Sequence, residues 1–104
     1  MARNQKKYRE APAMDLQSLR LQINQLDKTI LDAFAQRMAL CRQVGVYKKE
    51  HQLPVFQKDR EDEVIRRIRD MAPPDMSQSA AALFSAIMDI SKCYQQQILA
   101  DASC

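Results

Sequence analysis

The sequence predicts an all-α protein of three helices, in the order long, short and long, that associates with a partner chain. The first observation is composition, because one glycine and 6% aromatic residues leave turns and β-structure little to build on. The second is spacing, because apolar residues recur three and four positions apart, as in an α-helix. The third is the length of the first apolar stretch, which 104 residues cannot easily bury alone.

The first predicted helix runs from Asp15 to about His51. Its apolar residues form one stripe: Leu16, Leu19, Ile23, Leu26, Ile30, Phe34, Met38, Cys41 and Val44. We expect Asp15 to be the N-cap, because its side chain can accept a hydrogen bond from a free backbone N–H. Pro54 closes the run, since its ring disfavours helix in the preceding residue. Gly45 costs about 1 kcal/mol against alanine; it either admits a close neighbour or ligand or is tolerated in a well-packed helix.

Three cations of this helix are candidate binding residues: Arg20, Arg37 and Lys48. At about 100° per residue, Arg37 and Lys48 differ by about 20° in direction and lie roughly three turns apart. Each could instead be a surface residue with a buried aliphatic stem and a solvated charge. The whole helix is roughly 54 Å long, and Arg20 lies about 25 Å along it from Arg37. No small ligand can therefore touch both residues on one helix.

The second predicted helix is short. It follows a connection around Pro54, runs from about Gln57 to Met71, and ends at Pro73 and Pro74. Acidic residues in its first turn favour the helix dipole.

The third predicted helix is long, with Asp75 or Ser77 as its cap and its end at about Ala100. Its apolar spacing predicts one buried stripe: Leu83, Ile87, Ile90, Tyr94 and Ile98. These two helices complete the long, short, long order.

The rest of the chain narrows the class of protein. Residues 1–13 are polar and basic without periodicity, so we expect a flexible tail before one domain, 14–104. The net charge of +3 does not imply nucleic acid, and no apolar run reaches the length of a membrane span. The N-terminus lacks the apolar segment of a secretory signal. Three cysteines without metal-type spacing predict reduced thiols in a cytoplasmic protein: Cys41, Cys93 and Cys104.

Two sets of polar residues share helix faces. Gln57, Arg60 and Glu61 lie three and four positions apart on the second helix, and Ser91 and Gln95 lie one turn apart on the third. Each set alone could be an ordinary solvent-facing surface. The sequence offers no His or Cys constellation for nucleophilic or metal catalysis.

Three stretches in order carry a family resemblance: LRLQINQLDKTILDAFAQRMALCRQVGVYK, LPVFQKDRE and LFSAIMDISKCYQQ. Together they resemble the all-helical chorismate mutases, over residues 14–98. The resemblance implies an intertwined homodimeric helical bundle with two active sites, each built from both subunits. It also implies the Claisen rearrangement of chorismate to prephenate in phenylalanine and tyrosine biosynthesis, part of the shikimate pathway, with no metal or other cofactor.

The resemblance also implies eight substrate-binding residues: Arg20, Arg37, Lys48, Gln57, Arg60, Glu61, Ser91 and Gln95. Lys48 and Gln95 would donate hydrogen bonds to the ether oxygen, and Arg37 would hold a substrate carboxylate. We expect these three to be catalytic. Arg20 would reach into the active site of the other subunit.

The remaining positions concern the ring of the substrate. Glu61, next to Arg60, would hold the ring hydroxyl, and Ser91 would lie near the ring carboxylate. Gln57 departs from the family pattern, because many relatives have aspartate there. An amide can still bond the hydroxyl but carries no negative charge, so Gln57 bears on rate and substrate preference.

Two other functions remain open from the sequence. Isochorismate pyruvate lyase, which forms salicylate, uses the same scaffold and similar cations, although the RE pair after PVF and the S…Q pair are more typical of mutases. A helical dimerisation module that binds protein or RNA would leave the Arg37–Lys48 alignment as a coincidence.

Overall fold

The structure is a computed structural model, and it describes residues 15–100, with side chains as far as residue 99. It contains α1 (Leu16–Glu50), α2 (Lys58–Met71), a short 3-10 helix (Pro74–Met76) and α3 (Ser77–Ala100). Within residues 15–100 there is no strand. The predicted all-α fold and its long, short, long order are confirmed. The predicted tail, residues 1–13, and Cys104 lie outside the described residues.

The start of α1 agrees with the predicted cap. The backbone N–H of Ser18 donates to Oδ1 of Asp15 over 2.8 Å, which satisfies one of the free donors of the first turn. The helix ends at Glu50, before Pro54. Gln52 adopts a left-handed conformation with φ 56°, and the N–H of Leu53 donates to the carbonyl of Lys48 over 2.8 Å. Helices commonly end in this way, with one left-handed residue and a backbone hydrogen bond from the next residue back to a carbonyl of the last turn.

The described part of the chain divides into two compact units, with the division between Ala35 and Gln36. The described part of the first unit is the beginning of α1, and five apolar side chains on it are 43–63% exposed in the single chain, whereas Phe34 is half-buried. The five exposed residues form the first part of the predicted stripe: Leu16, Leu19, Ile23, Leu26 and Ile30. One chain therefore leaves this stripe largely in water, as the sequence led us to expect.

The second unit holds the core and combines the end of α1 with α2 and α3. Val64 of α2 is almost completely buried, and Met38 of α1 and Ala81 and Met88 of α3 are buried with it. These residues fill the interior on which the polar side chains described below are arranged.

The predicted buried stripe of α3 is only partly correct, because Ile87, Tyr94 and Ile98 are half-buried but its two other members are exposed, about one residue away from the most buried positions. Leu83 and Ile90 are 56% and 42% exposed, whereas Ser91 and Gln95 are only 6% exposed. A shift of one position is a turn of about 100° around the helix. The periodicity placed the most apolar face inside, but the buried face of α3 includes polar residues that are stabilised there by hydrogen bonds.

Pro73 and Pro74 shape the connection between α2 and α3. The N–H of Ala72 donates to the carbonyl of Ile68 over 3.0 Å, and the chain then forms the 3-10 turn. Asp75 lies inside that turn, and the Ser77 hydroxyl donates to the carbonyl of Arg69 over 3.3 Å. The start of α3 was therefore predicted to within two residues, although Ser77 bonds back to α2. Across the part of the chain that is described, no helix is long and apolar enough to cross a membrane.

Candidate functional site

A cavity of about 380 Å³ lies within the second unit, between the end of α1, the connection before α2, and α2 and α3. Seven of the eight predicted site residues line it: Arg37, Lys48, Gln57, Arg60, Glu61, Ser91 and Gln95. The eighth, Arg20, belongs to the first unit and is exposed. The three separate sequence stretches therefore meet at one cavity.

Lys48 and Gln95 form the centre of the cavity wall. The ammonium of Lys48 donates to Oε1 of Gln95 over 2.8 Å and to the carbonyl oxygen of Val55 over 2.7 Å. Nε2 of Gln95 donates to the Ser91 hydroxyl over 3.4 Å. An ammonium has three N–H donors and an amide has two. Each side chain therefore keeps one donor for a ligand in the cavity, one charged and one neutral.

The partial burial of Lys48 changes its acidity. Loss of hydration lowers the pKa of this ammonium below the ordinary lysine value, because burial disfavours the charged form. Electrostatic interactions with Cys41 and Glu61 raise the Lys48 pKa and offset part of the effect of burial. Lys48 is thus a cation that water solvates poorly, and an anionic ligand would gain from facing it.

Gly45 brings α1 and α3 together at this point. It is buried, and a Cβ atom there would lie 3.2 Å from both Cα and Cγ of Gln95 and 3.2 Å from Cδ1 of Ile98. These distances are tighter than ordinary van der Waals contact. Of the two explanations left open by the sequence, the close neighbour is therefore the one observed, and that neighbour is Gln95.

Arg37 lies one turn before Cys41 on the cavity side of α1. Its Nη1 is 3.6 Å from the Cys41 sulfur and donates to it. A thiol is a weak acceptor, so this contact leaves the planar guanidinium free for a stronger one. Carboxylates fit that guanidinium because two parallel N–H groups can bind both oxygens.

Helix α2 contributes three polar side chains to the cavity. Gln57 is the N-cap residue of α2, and its side chain makes no capping hydrogen bond. Nη1 of Arg60 contacts Glu63 on the same helix over 2.5 Å, and both side chains are well exposed. Glu61 instead forms an ion pair with Lys92 of α3, with 3.0 Å between Oε2 and Nζ.

Lys92 is a cavity residue that the sequence analysis missed. It lines the cavity beside Ser91 and Gln95, and its ammonium lies 4.9 Å from the ring centroid of Phe56. Its position next to Ser91 in the sequence could have suggested Lys92. Neighbouring residues of a helix point about 100° apart, however, so the spacing rule assigned Lys92 to a different face. The partner in its ion pair is on another helix, and no spacing rule reaches that far.

The charges of the cavity define the ligand that it suits. Its described lining has four cations, Arg37, Lys48, Arg60 and Lys92, and one carboxylate, Glu61. The formal excess of positive charge favours a small anion. Among the described residues there is no group of His, Cys, Asp and Glu that could hold a metal ion.

Comparison with known proteins identifies the family to which the chain is similar. Residues 19–96 match the family described as chorismate mutase type II. The chain is 36% identical over 67 residues to a protein named T-protein from Enterobacter agglomerans, with 60% of this chain and 18% of that protein covered. It is 41% identical over 46 residues to the T-protein of Haemophilus influenzae, covering 44% and 12%.

A third relative is named 4-amino-4-deoxychorismate mutase and comes from Streptomyces pristinaespiralis. It is 38% identical over 45 residues, with 43% of this chain and 35% of that protein covered. The chain thus spans only 12–35% of the length of these relatives, and no solved structure matches it significantly. Because the family match extends over three quarters of the sequence, the chain belongs to the chorismate mutase type II family.

Proposed function

We propose that the protein is a chorismate mutase, an isomerase that converts chorismate to prephenate for phenylalanine and tyrosine biosynthesis. The observation that carries this proposal is the Lys48–Gln95 pair. It presents one charged and one neutral N–H donor side by side in a cavity rich in cations. The family match supports this reaction, and the relative named 4-amino-4-deoxychorismate mutase supports mutase chemistry on a closely related compound.

The reaction needs orientation and electrostatics rather than a nucleophile. Chorismate is a dianion, and its rearrangement breaks an ether bond and forms a carbon–carbon bond within one molecule. A site that holds the folded conformer lowers the barrier by fixing the two reacting ends close together. Negative charge that develops on the ether oxygen is stabilised by donors already in place. The free N–H groups of Lys48 and Gln95 are suited to that oxygen.

The other residues are assigned roles that their chemistry permits. Arg37 would bind one carboxylate of chorismate in its guanidinium fork. Ser91, whose hydroxyl accepts from Gln95, would lie near the ring carboxylate. Glu61 and Gln57 would accept from and donate to the ring hydroxyl, with Arg60 beside them on the rim. No group in this set has to exchange a proton with the substrate during the reaction.

We further propose that the active unit is an intertwined homodimer with shared sites. The exposed apolar residues at the start of α1 support a partner of the same kind, because each chain offers the same uncovered stripe. Arg20 is a cation on that part of the helix. In a two-fold dimer it would complete the cavity of the other subunit. The free thiols of Cys41 and Cys93 support our proposal of a cytoplasmic location.

The experiment that tests the function supplies purified protein with chorismate and, separately, with isochorismate. Nuclear magnetic resonance of the products distinguishes prephenate from salicylate plus pyruvate. We expect prephenate from chorismate at a rate far above the uncatalysed reaction. Salicylate and pyruvate as the main products would identify a lyase instead, and no turnover of either compound would support a non-catalytic dimerisation module.

A further inference from the structure

We propose that Lys92 is a specificity-determining residue that makes the site prefer a neutral substituent on the substrate ring over a cationic one. It would act through Glu61, whose carboxylate it neutralises. This inference rests on the proposed function, because it assumes that Glu61 faces the ring substituent of a chorismate-like molecule. Neither the family resemblance nor the comparisons assign a role to Lys92.

The ion pair between Lys92 and Glu61 is well placed for this role. Nζ of Lys92 lies 3.0 Å from Oε2 of Glu61, and the two side chains are only 26% and 23% exposed. Nζ also lies 3.3 Å from Oδ1 of Asp89, which is 71% exposed. The Phe56 ring covers the ammonium at 4.9 Å. The hydrogen bond to Glu61 is the largest cause of the raised pKa of Lys92, so the ammonium of Lys92 stays charged over the neutral range.

This ion pair neutralises the one negative charge in the described lining of the cavity. Glu61 is the single carboxylate among those lining residues, and Lys92 occupies one of its oxygens. Gln57, at the N-terminus of α2, adds an uncharged amide at the same part of the lining. An amide and a neutralised carboxylate can still bond a hydroxyl. They cannot compensate the charge of an ammonium.

A hydroxyl and an amino group at one ring position are therefore a sensitive pair of probes. The primary amine is protonated at neutral pH, so it brings a positive charge next to Lys92, and like charges in a shielded site repel. The relative from Streptomyces pristinaespiralis is named for a substrate that carries this amino group. We infer that the present chain discriminates against that compound, and that the charge of Lys92 is the reason.

The test measures kcat/KM for chorismate and for 4-amino-4-deoxychorismate, and the inhibition constant of the amino compound against chorismate. The variants are Lys92→Met, which keeps most of the length of the unbranched side chain and removes its charge, and Lys92→Met combined with Glu61→Gln. Lys58→Met is the matched control, because Lys58 is 72% exposed, pairs with Asp62 and does not line the cavity.

We expect Lys92→Met to change the ratio of the two kcat/KM values in favour of the amino compound by about tenfold or more. The reason is that the charge of Glu61, no longer neutralised, would attract the ammonium in a partly buried site. The added Glu61→Gln should return the preference to near the wild-type value, and Lys58→Met should not change it. A general structural role would lower the use of both compounds and leave their ratio unchanged.

The outcomes separate this inference from the proposed function. If wild-type protein converts chorismate but Lys92→Met leaves the ratio unchanged, the role of Lys92 is wrong and the mutase function stands. If Lys92→Met lowers kcat/KM equally for both compounds, Lys92 is only an anion-binding residue, and the inference is also overturned. If wild-type protein neither converts nor binds chorismate, the proposed function fails, and this inference fails with it.

Discussion

The ammonium of Lys48 and Oε1 of Gln95 are 2.8 Å apart, and this hydrogen bond joins α1 to α3 across 47 positions of the chain. It orients the amide of Gln95, because an oxygen turned towards Lys48 leaves Nε2 facing Ser91 and the cavity. Gly45 allows this arrangement by letting the backbone of Gln95 approach α1 closely.

Replacing Gln95 by glutamate should move the pH optimum towards acid. A carboxyl group can donate to the ether oxygen only when it is protonated, whereas the amide donates at any pH. The adjacent Lys48 ammonium also favours the ionised carboxylate, which pushes the active range further towards acid. Rates with chorismate across the acidic and neutral range provide the measurement.

Gln96→Glu is the matched control, because Gln96 is the neighbouring residue and is exposed. It should retain the nearly level profile of the wild type across neutral pH. An unchanged profile in Gln95→Glu would mean that Gln95 does not face the reacting oxygen.

The fall of activity at alkaline pH, the alkaline limb of the pH profile, should result from deprotonation of Lys48. Burial lowers its pKa, so the free enzyme should lose the Lys48 proton, and with it kcat/KM, below the ordinary lysine pKa of 10.5. Bound dianion favours the ammonium and raises its pKa, so kcat should fall at a higher pH than kcat/KM. Lys92 has a raised pKa and should titrate later.

Lys48→Arg tests this assignment, because a guanidinium does not lose its proton in this range. The residual activity of that variant should lack the alkaline limb. A limb that persists in Lys48→Arg would assign it to another group.

Gly45→Ala should impair the rate more than it impairs folding. Alanine improves helix propensity by about 1 kcal/mol, which offsets part of the cost of the new contact. The added Cβ would meet Gln95 and Ile98 at 3.2 Å, so α3 must move by a few tenths of an ångström. We expect kcat to fall roughly tenfold, since catalysis is sensitive to small displacements, while the urea midpoint changes little.

Ala39→Gly provides the opposite control at an exposed position of α1. It should lower the free energy of unfolding by about 1 kcal/mol and leave kcat unchanged. Equal effects of Gly45→Ala on stability and rate would argue against a role in placing Gln95.

The shared site predicts complementation between two inactive variants. Arg20→Ala and Arg37→Ala should each be nearly inactive. When the two are unfolded together and refolded, random pairing makes about half of the dimers mixed, and each mixed dimer has one intact site. Roughly a quarter of all sites should therefore recover.

Simple mixing without unfolding is the control, since intertwined chains exchange only by unfolding. A co-refolded sample that forms dimers but is no more active than its parents would show that Arg20 does not act in trans.

Much of the fold was predictable because it depends on local rules. The helix order, the Asp15 cap and the ends of α1 and α2 follow from spacing, capping chemistry and proline. The inward face of α3 was not predictable from hydropathy, because Ser91 and Gln95 are buried by virtue of hydrogen bonds and cavity position.

The candidate site was predictable to a different extent. Seven of its residues were named from the family resemblance and do line one cavity. The ion pair of Lys92 with Glu61 joins residues 31 positions apart on different helices, and no periodicity encodes such a contact. The role of Arg20 depends on a second chain and stays a prediction.

Prephenate formation by wild-type protein and by Lys48→Ala, followed in parallel with chorismate, tests the central claim most directly. Loss of one donor to a developing oxyanion costs about 10²–10³ in kcat, and Lys48 also contributes charge, so we expect a loss of at least that size. Lys58→Ala should match the wild type, and the helical circular dichroism of all three proteins should agree. Wild-type turnover in a fully helical Lys48→Ala protein would contradict the proposed mechanism.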